Sequence, residues 1–294
     1  MRFQPVLFAL LISMGSALAQ VPATRPSTRP QRPIVLGPDD KAVFPLPPKG
    51  FDVARDGIAH GKLERVEYDS KTVGTRRKML VYTPPDFSAD KKYPAVYLLH
   101  GIGGDENEWN KYCAPNIILD NLYADGKITP MIVVFPNGRA ETDDRPRGNI
   151  YTHFKAFENF TGDLIDDILP FMESHYPLIA DRVHRALGGY SMGGGKTLNI
   201  GLTHLDTFAW LCGLSCAPNA KPIDQLIPDP AALSKLKLFY LACGDKDGLI
   251  NLGQNWHAFL KKNDVPHTWQ VNPGGHNGET WKLDLYHFSQ LLFR

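Results

Sequence analysis

Residues 184–202 read HRALGGYSMGGGKTLNIGL, and the fold is read outward from this stretch. His184 to Gly188 is strand-like, and Gly194 to Leu202 is helix-like. Between them stands Gly189-Tyr190-Ser191-Met192-Gly193, a G-x-S-x-G pentad. A serine held on a sharp strand-to-helix turn tolerates only small neighbours, which is the physical reason for the flanking glycines. In this context Ser191 is a candidate nucleophile, and a glycine-rich structural turn is the weaker reading. The overlapping Gly195-Lys196-Thr197 looks like the end of a phosphate-binding loop. Tyr190 stands where that loop needs a glycine, so no nucleotide site is expected.

On either side, short apolar runs alternate with helical spacing. Leu63 to Tyr68 alternates with period two and Lys78 to Tyr82 answers it after Gly74, which predicts an antiparallel hairpin. Further runs follow at Ala95 to Leu99, Met131 to Phe135, Trp210 to Leu214, Leu238 to Ala242 and Thr268 to Val271. Phe160, Leu164, Ile168 and Met172 repeat every four residues, and Trp281, Leu285, Phe288 and Leu292 form an amphipathic stripe. Strand–helix alternation predicts an α/β domain over 51–294: a mostly parallel central sheet, helices on both faces, an N-terminal hairpin. In such a sheet, function belongs at the carboxyl ends of the strands.

The N-terminus has a different character. Met1-Arg2, the apolar run Val6 to Leu18 and the small residues of Ala17-Leu18-Ala19 predict a cleavable signal peptide over 1–19, with an uncleaved anchor as the alternative. Residues 20–50 are dense in proline and read as an extended linker. The expected location is secreted or periplasmic, with no membrane partner once the leader is removed. Lys plus Arg number 32 against 31 Asp plus Glu, so no basic surface for nucleic acid is expected. The runs Arg76-Arg77-Lys78 and Lys91-Lys92 read as solvated strand or loop ends. Cys113, Cys212, Cys216 and Cys243 are expected as buried thiols, a Cys216–Cys243 bridge being the alternative. Metal-ligand spacing is absent, so neither metal nor cofactor is expected.

A serine hydroxyl needs a base held by an acid. Leu238 to Cys243 runs into Gly244-Asp245-Lys246-Asp247, two carboxylates on one loop, and spacing leaves Asp245 and Asp247 both open as the acid. His276, boxed by glycines in Pro273-Gly274-Gly275-His276-Asn277-Gly278, is the best placed of the ten histidines to act as base. An oxyanion needs backbone donors, which the Met192 amide and the turn His100-Gly101-Ile102-Gly103-Gly104 are placed to supply.

These motifs, with Asn159-Phe160-Thr161, Ala217-Pro218-Asn219 and Gly274 to Trp281, occur in the order and at the spacing of carbohydrate esterase family 1. The chain resembles that family, and within it the feruloyl esterase domain of a bacterial xylanase, from about Leu63 to its end. The resemblance implies an α/β-hydrolase fold and a triad of Ser191, His276 and Asp247, the acid falling on the second aspartate of its loop. It implies oxyanion donors at Ile102 and Met192, no cofactor, and ester hydrolysis through an acyl-enzyme. The implied substrate is a feruloyl ester on plant xylan, with Trp281 either a wall for the aromatic ring or a core residue. An acetyl-xylan or siderophore esterase would use the same triad. A secreted carbohydrate-binding protein without catalysis is the reading from another class, and the intact set of Ser191, Asp247 and His276 speaks against it. Oligomeric state is not legible.

Overall fold

The computed structural model describes residues 33–145, 147–150 and 154–294. The expected leader and the first part of the expected linker lie outside them. Strands β1 (Lys62–Ser70), β2 (Thr75–Thr83), β3 (Ala95–Leu99), β4 (Ile132–Pro136), β5 (Arg185–Tyr190), β6 (Trp210–Leu214), β7 (Leu238–Gly244) and β8 (Thr268–Asn272) form one sheet. Its order is β1-β2-β4-β3-β5-β6-β7-β8. The hairpin β1–β2 is antiparallel, as is the β2–β4 pair, and every later pair is parallel.

Neighbouring residues on the central strands feed two separate cores. Tyr97 and Leu99 belong to one, with α3 (Phe154–Gly162), α4 (Leu169–His175), α5 (Met192–Thr203), α6 (Ile223–Leu226) and α7 (Ile250–Lys262). Val96 and Leu98 belong to the other, with α1 (Glu108–Cys113), α2 (Pro115–Ala124) and α8 (Gly278–Leu291). A sheet buried on both faces needs strands that are apolar throughout, which is why β3, β4 and β6 are fully buried runs. The four-residue repeat from Phe160 to Met172 overshoots an α-helical turn and would drift around a regular helix. A π-helical segment, Asp163–Ile168, lies between α3 and α4, and its wider turn takes up the drift. All four side chains are fully buried as a result.

The chain leaves β3 toward β4 on one side and reaches β5 on the other. The carboxyl ends of β3 and β5 therefore flank a topological switch point, the crevice where open α/β sheets bind ligands.

Two expectations change. Residues 33–50 are not a free tether, because Val271 donates to the Lys41 carbonyl at 3.2 Å, and Gln270 Oε1 accepts from the Val43 and Phe44 amides. The Trp269 indole donates to Asp40 at 2.8 Å, and Phe44 stacks on His287. This proline-rich strap covers β8, which would otherwise be an open sheet edge. Second, Arg77 is buried rather than solvated, at 1% exposure. Its guanidinium lies 3.3 Å from buried Asp163 and donates to the carbonyls of Asn137 and Arg139, so β2 holds the loop after β4.

The four cysteines are unbridged and buried, and burial pushes each thiol's pKa up. Among the described residues no helix is long and apolar enough to cross a membrane.

Asp284 on α8 is fully buried, and burial pushes its carboxyl well above the ordinary range. Its Oδ1 accepts from Tyr240 at 3.2 Å and Asn272 at 2.7 Å. An uncharged carboxyl and an amide are near-equivalent here. Asp284→Asn is therefore expected to change stability by less than about 1 kcal/mol at neutral pH. Asp284→Ala, which strands two buried donors, should cost about 2–4 kcal/mol. Urea unfolding of the two variants checks this, and an Asp284→Asn loss as large as that of Asp284→Ala would overturn the uncharged reading.

Candidate active site

Ser191 sits between β5 and α5 with φ 54° and ψ −121°, a left-handed conformation strained by about 1–3 kcal/mol for a non-glycine residue. The surroundings hold it there. Its amide donates to Leu214 at 2.9 Å, and its carbonyl accepts from Gly195 and Ala217. A Cβ at Gly193 would stand 2.3 Å from the Leu99 carbonyl oxygen, so only glycine lets α5 start so close to β3. The pentad's glycines answer to this approach.

His276 Nε2 lies 2.9 Å from Ser191 Oγ, and His276 Nδ1 lies 2.8 Å from Asp247 Oδ2. The imidazole is 35% exposed and the carboxylate is sealed at 0%. Burial opposes the charge on Asp247, but hydrogen bonds from His276 and the Leu249 amide outweigh it and hold the carboxyl below the ordinary range. An ionised Asp247 can only accept, so His276 carries its proton on Nδ1 and accepts the Ser191 hydroxyl proton at Nε2. Asp245, which spacing left open, points elsewhere: its Oδ1 accepts from the Gly274 amide at 2.8 Å and ties the loop after β7 to the His276 loop.

The two expected oxyanion donors sit at the ends of β3 and β5. Met192 is the first residue of α5, where amides have no intrahelical partner and the helix dipole favours negative charge. The Ile102 amide shares a peptide with the Gly101 carbonyl, and that carbonyl accepts from His100 Nδ1 at 2.7 Å. Gly138 donates to His100 Nε2 at 2.8 Å, so buried His100 is neutral with its proton on Nδ1. Gly101 donates to Glu108 at 2.7 Å, and Arg139 donates to the Ile102 carbonyl at 2.7 Å. The turn is clamped from three sides, and Arg77 holds the loop that carries Gly138 and Arg139. Glu108 and the loop residues Gly138 and Arg139 have no sequence signal, because they act on the turn from other segments of the chain.

Trp281 is not a free wall. It is 7% exposed, stacked on Tyr190 at 4.0 Å and 6°, and it meets the His276 ring edge-on at 5.1 Å. Its indole donates to Ser215 at 3.0 Å, and the Ser215 hydroxyl bonds Asp247. Trp281 thus backs the imidazole from the core. Beside Met192 lies a cavity of about 630 Å³ whose described lining includes Phe157, Lys196, Asn199 and Pro218, and not Trp281.

A buried acid, an imidazole and a strained serine in hydrogen-bond series suit nucleophilic attack on a carbonyl. Residues 70–290 match the sequence model of the Esterase family. The chain belongs to the esterase family. The chain is 33% identical over 257 residues to an endo-1,4-beta-xylanase/feruloyl esterase of Xylanibacter ruminicola, a match covering 85% of the chain and 34% of that relative. It is 31% identical over 198 residues to endo-1,4-beta-xylanase Y of Acetivibrio thermocellus, covering 61% and 17% respectively. The chain thus spans about a third of the first of these curated relatives and about a sixth of the second. A solved ferulic acid esterase of carbohydrate esterase family 1 from Anaeromyces mucronatus superposes with a TM-score of 0.74 at 27% identity, over 84% of this chain and 96% of that one. The fold is that of the α/β-hydrolase feruloyl esterases, as the resemblance implied.

Proposed function

We propose that this chain is a secreted or periplasmic serine esterase that cleaves carboxylic esters of plant cell-wall polysaccharide, feruloyl esters of arabinoxylan foremost. The observation that carries the reading is the hydrogen-bonded series from Ser191 through His276 to Asp247. Ser191 Oγ attacks the ester carbonyl as His276 Nε2 takes its proton. The carbonyl oxygen becomes an oxyanion facing the Ile102 and Met192 amides. The intermediate collapses, the C–O bond breaks, and His276 returns the proton to the leaving alcohol. Water then repeats the sequence on the acyl-enzyme and releases the acid. Asp247 keeps the imidazole in the required tautomer and stabilises its cationic form. None of these steps calls for a metal or cofactor.

The feruloyl assignment draws on relatives whose names carry it, the Xylanibacter ruminicola protein and the Anaeromyces mucronatus structure. An acetyl esterase of Caldicellulosiruptor saccharolyticus, 23% identical over 74% of this chain and 92% of that relative, motivates a second reading in which acetyl is the acyl group. Methyl ferulate and methyl acetate compared on purified protein separate the two. The expected result is a kcat/KM at least about tenfold higher for the ferulate, since an aromatic ring buried at about 25 cal/mol per Å² readily supplies the required 1.4 kcal/mol or so. A preference for acetate would replace the feruloyl reading.

His100 provides a check on the oxyanion turn. His100→Ala frees the Gly101–Ile102 peptide and should lower kcat by on the order of 10–10²-fold, with KM moved less than about threefold. A folded variant that loses affinity and keeps its kcat would assign His100 to substrate binding.

A further inference from the structure

The cavity beside Met192 carries more than its volume. Met192, Lys196, Asn199 and Thr203 fall at i, i+4, i+7 and i+11, so one stripe of α5 lines it. Phe157 and Thr161 of α3 face that stripe, with Pro218 and Asn219 from the loop after β6. Phe157, Met192 and Pro218 make part of its wall apolar. Lys196 is the buried charged residue of that lining. It is 7% exposed, and among the described residues its ammonium has neither a hydrogen bond nor an ion pair. Burial pushes its pKa down to about 8, while Glu158 raises it and Lys221 lowers it further. Both of those neighbours are exposed residues of the lining. A cation drawn largely out of bulk water, with only the exposed Glu158 to offset it, is poorly compensated, and a ligand that brings an acidic oxygen relieves it.

The side of the ester that enters the cavity follows from proton delivery. His276 must hand its proton to the leaving alcohol, so the alcohol lies on the imidazole's side of Ser191. His276 packs on Trp281, in the core shared with α1, α2 and α8. The helices lining the cavity, α3 and α5, belong to the opposite face. The acyl half therefore points into the cavity. Lys196 lies about 6 Å along the helix axis from Met192, within the reach of a ring-sized acyl group.

We propose that Lys196 is a specificity residue that selects acyl groups ending in an acidic oxygen, phenolic or carboxylic, on the far side of the group from the ester carbonyl. This rests on the serine esterase reading above and narrows its substrate class. A phenolic hydroxyl would accept a hydrogen bond from the ammonium, and a carboxylate would form an ion pair with it.

Three esters of one shape test it: methyl cinnamate, methyl 4-hydroxycinnamate and methyl 4-carboxycinnamate. In the unmodified enzyme, kcat/KM for each para-oxygen ester should exceed that for methyl cinnamate by at least about tenfold. In Lys196→Met both ratios should fall to within about twofold of one. Lys196→Gln keeps a donor and loses the charge, so it should restore part of the hydroxyl ratio and none of the carboxylate ratio. That difference separates the two sources of oxygen. Ratios near one in the unmodified enzyme, or ratios kept in a folded Lys196→Met, overturn the assignment of Lys196 and leave the esterase reading standing. If neither variant folds, the unmodified enzyme's ratios decide. Failure to cleave any of the three, with 4-nitrophenyl acetate still hydrolysed, overturns the aromatic-acyl reading and this inference with it.

Discussion

Ser191→Ala is expected to lower kcat by roughly 10⁵–10⁶-fold while leaving the fold intact. The loss is this large because attack, proton transfer and acyl-enzyme formation all pass through one oxygen, and the methyl group of alanine supplies none of them. The turn itself should survive. Its conformation is set by the Leu214, Gly195 and Ala217 backbone bonds and by the glycines packed against β3, none of which involves the hydroxyl. Alanine carries the same left-handed backbone strain as serine, so the melting temperature should move by only a few degrees. Hydrolysis of methyl ferulate, with far-UV circular dichroism as the control for folding, checks the expectation. A folded Ser191→Ala protein that keeps more than about a tenth of the activity would remove Ser191 from the chemistry.

The second large effect separates two carboxylates that stand two positions apart. Asp247→Asn should reduce kcat by about 10⁴-fold, because an amide in place of the sealed carboxylate favours the wrong imidazole tautomer and no longer stabilises its cation. Asp245→Asn should stay within about tenfold, since the amide oxygen of asparagine still accepts the Gly274 N–H that Asp245 holds at 2.8 Å. The two variants are compared at one pH and substrate concentration series. Similar losses, or the reverse order, would move the acid's role to Asp245.

That pair also shows where local pattern stops informing. Ser191 was legible because a nucleophile turn demands small residues at fixed offsets between a strand and a helix, all within a dozen residues. His276 was legible for a similar reason, a glycine-flanked loop at a strand end. Which aspartate meets His276 was not legible from spacing. It depends on the register that sets Gly244 beside Asn272, a relation between β7 and β8 that neither loop encodes alone. The family resemblance pointed to Asp247, and the geometry places Asp247 against the imidazole.

Short-range periodicity by itself determined the succession of strands and helices, the hairpin at the start of the domain and the strand ends at which a site was to be sought. Only the tertiary structure decided which polar residues are buried and what they hold. Arg77 looked like a solvated strand residue until Asp163 and the carbonyls after β4 closed around it. Trp281 proved to be a prop behind His276, and Lys196, part of a spurious phosphate-loop pattern, a buried cation lining a cavity. The proline-rich strap over β8 likewise exists only because a sheet edge is there to be covered. The physical reason is common to all four. Backbone propensity and side-chain periodicity act over a few residues and are written in the chain order. The burial and pairing of a single charge or ring depend on segments that meet only after the sheet has assembled.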